Sequence, residues 1–194
     1  MDKTLEYYNK NAVSFAKETI NADMHELYEF FLKYLTQGAS ILDLGCGSGR
    51  DAKYFLDKGY IVTAIDGSPE LCRLATDYTG QPVICKLFNE LEFSNDFDGV
   101  WACASLLHLT MNDLIDVLQR IKRSLKNEGI LYTSFKYGDF SGYRNDRYFT
   151  DLDENKLMAI LGEKPLFKVL ETKITSDVRP GRENEKWLNV ILKA

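Results

Sequence analysis

Ser40-Ile41-Leu42-Asp43-Leu44-Gly45-Cys46-Gly47-Ser48-Gly49-Arg50 is the stretch on which the fold turns. Ile41 to Leu44 is a short apolar run and reads as a strand buried in a parallel sheet. It passes straight into glycines at 45, 47 and 49, and a helical pattern begins at Asp51. Alternate glycines let the backbone turn sharply at the strand's carboxyl end and let a ligand approach main-chain atoms closely. Strand, glycine loop and helix N-terminus together form a nucleotide-type pocket.

Downstream, strand and helix patterns alternate. A helix over 51–58 closes at Gly59, and a strand over 60–66 ends in Asp66. Ser68 caps a helix with Pro69 in its first turn. Further strands are expected at 83–87, 98–103 and 129–135, with a strongly amphipathic helix over 112–125. Such alternation implies a parallel sheet covered on both faces. The last third differs: a polar, aromatic loop over 136–150, a helix over 153–161, then strands at 167–175 and 187–192. The short link through Pro180-Gly181 makes those two an antiparallel hairpin. The expected fold is α/β, a Rossmann-like three-layer sandwich whose mostly parallel seven-stranded sheet ends in that hairpin. Residues 5–35 read as helical, so a cap over 1–38 and a core over 39–194 make up a single domain.

With 194 residues, 45% hydrophobic and 27% charged, the chain has the composition of a soluble globular domain. A net charge of -5 weighs against nucleic acid and anionic membranes as partners. No apolar run approaches the roughly 20 residues of a membrane helix. Met1-Asp2-Lys3-Thr4 leads into polar and aromatic residues, unlike a signal peptide. Cys46, Cys72, Cys85 and Cys103 show no paired spacing, so buried thiols in a reducing cytoplasm are expected. Two histidines, His25 and His108, without an acidic cluster, imply no metal.

The glycine spacing alone admits two ligands. Gly47, Gly49 and Ala52 satisfy a dinucleotide G-x-G-x-x-A, with Asp66 at the distance of a ribose-binding acid. Against a dinucleotide stands Asp43, which as a carboxylate beside the pocket would repel a pyrophosphate. The closing hairpin, in place of a second mononucleotide-binding half, points the same way. Leu42 to Gly49, Ala64-Ile65-Asp66, and Phe97 to Val100 with the downstream His108 resemble the motifs of class I S-adenosylmethionine (SAM)-dependent methyltransferases. The resemblance covers nearly the whole chain, and is strongest to small bacterial methyltransferases of the tellurite-resistance-like group.

That resemblance implies SAM as cofactor, with Gly45, Cys46 and Gly47 at its methionine part. It implies that Asp66 accepts both ribose hydroxyls, that Gly67 and Ser68 border the adenosine, and that Phe88 and Asn89 lie at the adenine. Leu87 departs from the family, standing where many members carry an acid. Asp43 is either a ligand group or a structural acid that satisfies loop amides. Arg50 pairs either with the SAM carboxylate or with a nearby acid. Residues 101–105, Ala102 among them, are expected to line the methionine end.

Methyl transfer from a sulfonium is an in-line displacement in which alignment supplies most of the acceleration. A general base matters only for an acceptor that must lose a proton. His108 is the candidate, its alternative being a loop histidine bonded to backbone. Half of the chain's arginines, Arg144, Arg147, Arg179 and Arg182, fall in two late loops among tyrosines and a phenylalanine. They are read either as part of an acceptor site for a small, anionic molecule or as a solvated surface with arginine–carboxylate pairs. Tyr7 and Tyr8 either close over the cofactor or dock the first helix. The competing functions are a methyltransferase acting on RNA or protein, a non-catalytic SAM-binding module, and an NAD-dependent oxidoreductase.

Overall fold

The computed structural model describes residues 3–162 and 166–194. Met1 and Asp2, quoted above against a signal peptide, lie outside the described residues. Helix α1 (Lys3–Thr19) and α2 (His25–Leu32) precede strand β1 (Ser40–Leu44). Then follow α3 (Arg50–Asp57), β2 (Ile61–Asp66), α4 (Pro69–Thr79), β3 (Val83–Cys85) and β4 (Phe97–Ala102). The chain continues through α5 (Met111–Ser124), β5 (Leu125–Lys136), β6 (Ser141–Arg144), β7 (Arg147–Thr150), α6 (Glu154–Leu161), β8 (Lys168–Ser176) and β9 (Lys186–Lys193).

Seven strands form one sheet in the order β3-β2-β1-β4-β5-β9-β8. The first five are parallel; β9 runs antiparallel between β5 and β8. The expected α/β sandwich with its closing hairpin is therefore the observed fold. Its order reverses at β1, and the glycine loop leaves the carboxyl end of that strand. Ligands of open α/β sheets bind at such a reversal.

Residue alternation along the strands builds a core on each face. Ile41, Trp101, Tyr132 and Ile191 point to one side, against Leu27, Phe31 and Phe55 of the helices there. Leu42, Leu44, Val100, Leu131 and Leu192 point to the other, against Leu114, Val117 and Ile121 of α5. Trp101 lies stacked on Tyr132 with ring centroids 3.9 Å apart. The indole is bonded too: its Nε1–H donates to Asp51 at 2.8 Å, and the Tyr28 hydroxyl donates to the same carboxylate at 2.6 Å. One buried acid thus ties α2, α3 and β4 together.

Three expectations on local structure need correction. The loop foreseen over 136–150 contains the two-stranded β6–β7 ribbon, paired Ser141 to Thr150 through Arg144 to Arg147. Its two turn residues, Asn145 and Asp146, both have positive φ, 48° and 62°. That is the backbone a two-residue hairpin with right-handed twist demands, and Asn and Asp adopt it more readily than bulkier residues. Strand β3 stops at Cys85 instead of residue 87. As an edge strand it leaves Cys85 exposed, so only Cys46 and Cys72 are buried thiols, with Cys103 intermediate.

Candidate active site

A cavity of about 490 Å³ lies over the carboxyl edge of the sheet. This is within the roughly 300–1,000 Å³ of small-molecule sites. Its floor is the glycine loop. Gly45 has φ +80°, and a Cβ there would stand 2.4 Å from the Cβ of Ser105 and 3.2 Å from the Phe88 ring. The Gly45 and Cys46 amides both donate to the Ile65 carbonyl, at 2.8 and 2.9 Å. The loop is thereby fixed to the end of β2.

Asp66, the last residue of β2, occupies the centre of this floor. One carboxylate oxygen accepts from the Gly47 amide and the other from the Ser68 amide, each at 2.9 Å. Burial pushes its pKa up, while the Ser68, Gly47 and Gly67 amides oppose that shift. The carboxylate lines the cavity and retains acceptor capacity beyond these amides. Gly67 beside it has no space for a side chain: a Cβ would lie 2.9 Å from Leu5 and 3.2 Å from Leu87.

Helix α1 forms the roof. It is pinned at one side by Asn9, whose Oδ1 accepts from the Ser68 hydroxyl at 2.6 Å. At the other, the Thr4 hydroxyl accepts from the Tyr148 amide of β7 at 3.0 Å. Between these points Tyr8 and Phe15 face inward and pack edge-to-face, 5.2 Å apart.

His108 is held from both ring nitrogens. Nδ1 lies 2.6 Å from the Tyr148 carbonyl and Nε2 lies 2.8 Å from the Tyr8 hydroxyl. A carbonyl only accepts, so Nδ1 carries the hydrogen; in the neutral ring Nε2 then accepts the hydrogen of Tyr8. Burial raises the pKa of Tyr8 and keeps it a hydroxyl, with Arg147 pulling in the opposite direction.

The third wall comes from β5, the ribbon and the β8–β9 connection: Lys136, Arg147, Arg179, Arg182, Trp187 and Asn189. Arg179 forks onto Asp177 at 2.9 and 2.6 Å. Burial would raise the Asp177 pKa, but the Arg179 guanidinium and amide, with Trp187, outweigh it and hold the group at about 2. Arg147 lies 4.5 Å from the Tyr7 ring centroid and 5.3 Å from that of Phe149. Among the described residues it has no carboxylate within ion-pair distance.

Of the residues singled out in the sequence, Gly45, Cys46, Gly47, Arg50, Asp66, Gly67, Phe88, Asn89, Tyr8, His108, Arg147, Arg179 and Arg182 meet on this one cavity. Arg50 does so while paired to Asp51 at 2.6 Å. Six others are not among its lining residues, Trp101 being buried in the core. Asp43 is 1% exposed beneath the loop, with one oxygen lacking a partner. Burial, then the charge of Asp51, push its pKa well above the ordinary carboxylate value, with Arg50 and the Ala52 amide opposing. Sealed beneath the loop, Asp43 does not meet a ligand in the cavity directly. Ser68 is fully buried and spends its hydroxyl on capping α4 and on Asn9. Ala102 is sealed in the core. Tyr7, one residue along the helix from Tyr8, is turned off the cavity and flanks Arg147. Arg144 is closed onto Asp151 at 3.0 and 2.7 Å.

Cys103 lines the cavity as a half-buried thiol, its pKa pushed up to about 12 by desolvation and by Asp51. Residues not foreseen there are Ser134, Lys136, Trp187 and Asn189. Their signal was only topological: they sit on β5 and β9, whose adjacency is a property of the sheet order. Among the described residues, no group of three or more His, Cys, Asp and Glu is placed to hold a metal ion. No helix among the described residues is long and apolar enough to cross a membrane.

Residues 42–133 match the family described as "Methyltransferase domain". The chain is 33% identical over 146 residues to a putative methyltransferase, YqeM, of Bacillus subtilis, covering 68% of this chain and 58% of that protein. It is 28% identical over 152 residues to an uncharacterized methyltransferase of Staphylococcus carnosus, covering 71% and 73%. The chain thus spans under three fifths of the Bacillus relative. In fold it is similar to the Burkholderia thailandensis 1,6-didemethyltoxoflavin-N1-methyltransferase, solved with 1,6-didemethyltoxoflavin and S-adenosylhomocysteine. That superposition has a TM-score of 0.76 at 23% identity, over 97% of this chain and 84% of the other.

Proposed function

We propose that the protein is a SAM-dependent methyltransferase acting on a small-molecule acceptor. The observation that carries this reading is Asp66. A buried carboxylate ends β2 at the sheet's reversal point, anchored by the Gly47 and Ser68 amides and open to the same cavity as Gly45 and Gly67. Glycines that admit no Cβ and an acid suited to two ribose hydroxyls fit the donor of the methyltransferase family that the central segment matches. A concave cavity roofed by α1 favours a small acceptor over a macromolecular one, as does the net charge of -5.

When bound, SAM supplies a methyl group activated on sulfonium. The chain's own part is to align, to exclude water and to take a proton. Gly45, Cys46, Gly47, Asp66, Gly67, Phe88 and Asn89 are assigned to the donor, and Phe15 and Tyr8 cover it. Tyr8 stands within electrostatic reach of both Asp66 and Arg179, between the donor floor and the arginine wall. An acceptor X–H at this boundary passes its proton to the Tyr8 oxygen while Tyr8 passes its own to Nε2 of His108. The acceptor, relieved of its proton by Tyr8 and His108, would then be free to take the methyl that SAM would supply. His108 is thus the proton's resting place, and Tyr8 the group that meets the acceptor.

The helices over 1–38 act as the cap and 39–194 as the core of one domain. Four free thiols, one of them exposed, support a reducing, cytoplasmic setting. Calorimetry with SAM, S-adenosylhomocysteine and NAD tests the reading. Binding of the first two without NAD is expected, and binding of NAD alone would overturn it.

A further inference from the structure

The four arginines of the late loops are not equivalent. Arg144 and Arg179 are each closed in a two-pronged pair with a buried acid, Asp151 and Asp177. Lys136 is paired with Glu185, and Arg182 stands 3.9 Å from the same acid. Arg147 has no such counter-charge among the described residues. It is half-buried in the cavity wall, its Nε is buried without a hydrogen-bond partner, and aromatic rings surround it. Ring contacts offset part of the cost of desolvating a guanidinium but accept none of its five N–H hydrogens in strong bonds.

Lys136, Arg147, Arg179 and Arg182 therefore face this end of the cavity against two carboxylates, and Arg147 is the one of the four with no ion-pair partner among the described residues. Its position is set by the β6–β7 ribbon, whose turn places Arg147 beside Tyr8, its guanidinium 5.9 Å from that ring's centroid. From the Proposed function, on which this step rests, Tyr8 is where the reacting atom lies. We infer that Arg147 is the specificity-determining residue of the acceptor site, and that it binds an oxyanion, a carboxylate or phosphate group, carried by the acceptor next to the atom that is methylated. A planar fork of donors suits such a group.

The methionine carboxylate of SAM presents the same chemistry, so the test separates the two sources. S-adenosylhomocysteine is titrated first by calorimetry; failure to bind would sink the methyl-donor reading by itself. Inorganic phosphate is then titrated into the saturated protein and into the free protein. Saturable, one-site binding of phosphate is expected in both. Arg147→Gln should weaken it about tenfold or more while leaving S-adenosylhomocysteine affinity within about twofold. Arg147→Lys, which keeps the charge but not the fork, should fall between, and it decides the matter if the glutamine variant does not fold. Three results overturn the inference: no saturable phosphate binding by the wild-type protein, wild-type binding by Arg147→Gln, or competition between phosphate and S-adenosylhomocysteine with both weakened together. The last would assign Arg147 to the donor's carboxylate.

Discussion

Tyr8 and His108, a hundred residues apart, share one hydrogen at 2.8 Å, and the Tyr148 carbonyl behind the imidazole decides which of them donates it. The contact joins the roof of the cavity to the end of the fourth strand. Nitrogen-15 spectra of the imidazoles, with His25→Gln to remove the second histidine, should show His108 protonated at Nδ1 and bare at Nε2. Tyr8→Phe should move the Nε2 resonance and leave Nδ1. A ring protonated at Nε2 alone would dismantle the proposed proton relay.

Asp66 supports the loop as well as facing the cavity. Asp66→Ala removes two charge-assisted bonds to backbone amides, each contributing roughly 1.5–3 kcal/mol. The variant is expected to lose both thermal stability and at least about tenfold in S-adenosylhomocysteine affinity. Asp66→Asn, which retains one acceptor oxygen, should recover most of the stability and less of the affinity. Unchanged affinity in the asparagine and alanine variants would remove Asp66 from the site.

Glycine substitutions should separate the cavity floor from ordinary turns. Gly45→Ala places a Cβ 2.4 Å from Ser105 in a left-handed backbone conformation, with backbone that cannot yield on either side. Loss of ligand binding and a marked fall in Tm are expected. Gly80 has a similar φ of +71° at the end of α4, but a Cβ there meets nothing within 4 Å. Gly80→Ala should cost only the roughly 1–2 kcal/mol of the left-handed conformation and leave binding intact. Equal effects of the two on ligand affinity would contradict this geometry.

Asp177 carries a pH dependence of defined sign. Its pKa is held at about 2, below the ordinary carboxylate value near 3.8. The Arg179 pair therefore stabilises the fold fully above the ordinary value, and that contribution is lost as pH falls toward 2. Acid unfolding followed by circular dichroism should begin at higher pH in Arg179→Gln. Asp177→Asn should flatten the stability profile between about pH 4 and pH 2. Profiles identical to wild type would show that the pair does not stabilise the folded state.

Much of the donor side could be read from local signals. The glycine loop, the acid closing the second strand and the Ser68-Pro69 helix start each declare themselves within a few residues. Ser68, for instance, accepts from the Leu71 amide at 3.3 Å, as a cap three residues ahead should. The ribbon's signal was local too: Asn145-Asp146 between Tyr143 and Tyr148 is a hairpin turn flanked by alternating aromatics, though short enough to pass for loop. Asp43 misled, because its sequence position beside the loop says nothing about its depth. Burial seals it beneath the loop and drives it toward its neutral form.

By itself the sequence determined the strand–glycine–helix unit, the alternation that builds the parallel sheet, and the antiparallel ending. These rest on hydrophobic period and backbone preference, which act over a few residues. Only the tertiary structure decided which polar groups stay unspent. Arg144 and Arg147 are three residues apart with the same chemistry, yet one is consumed by Asp151 and the other faces the cavity. The Tyr8–His108 bond likewise exists only because α1 crosses the carboxyl edge of the sheet. Charge pairing and hydrogen-bond saturation depend on distances between segments far apart in the chain, and those distances are set by packing.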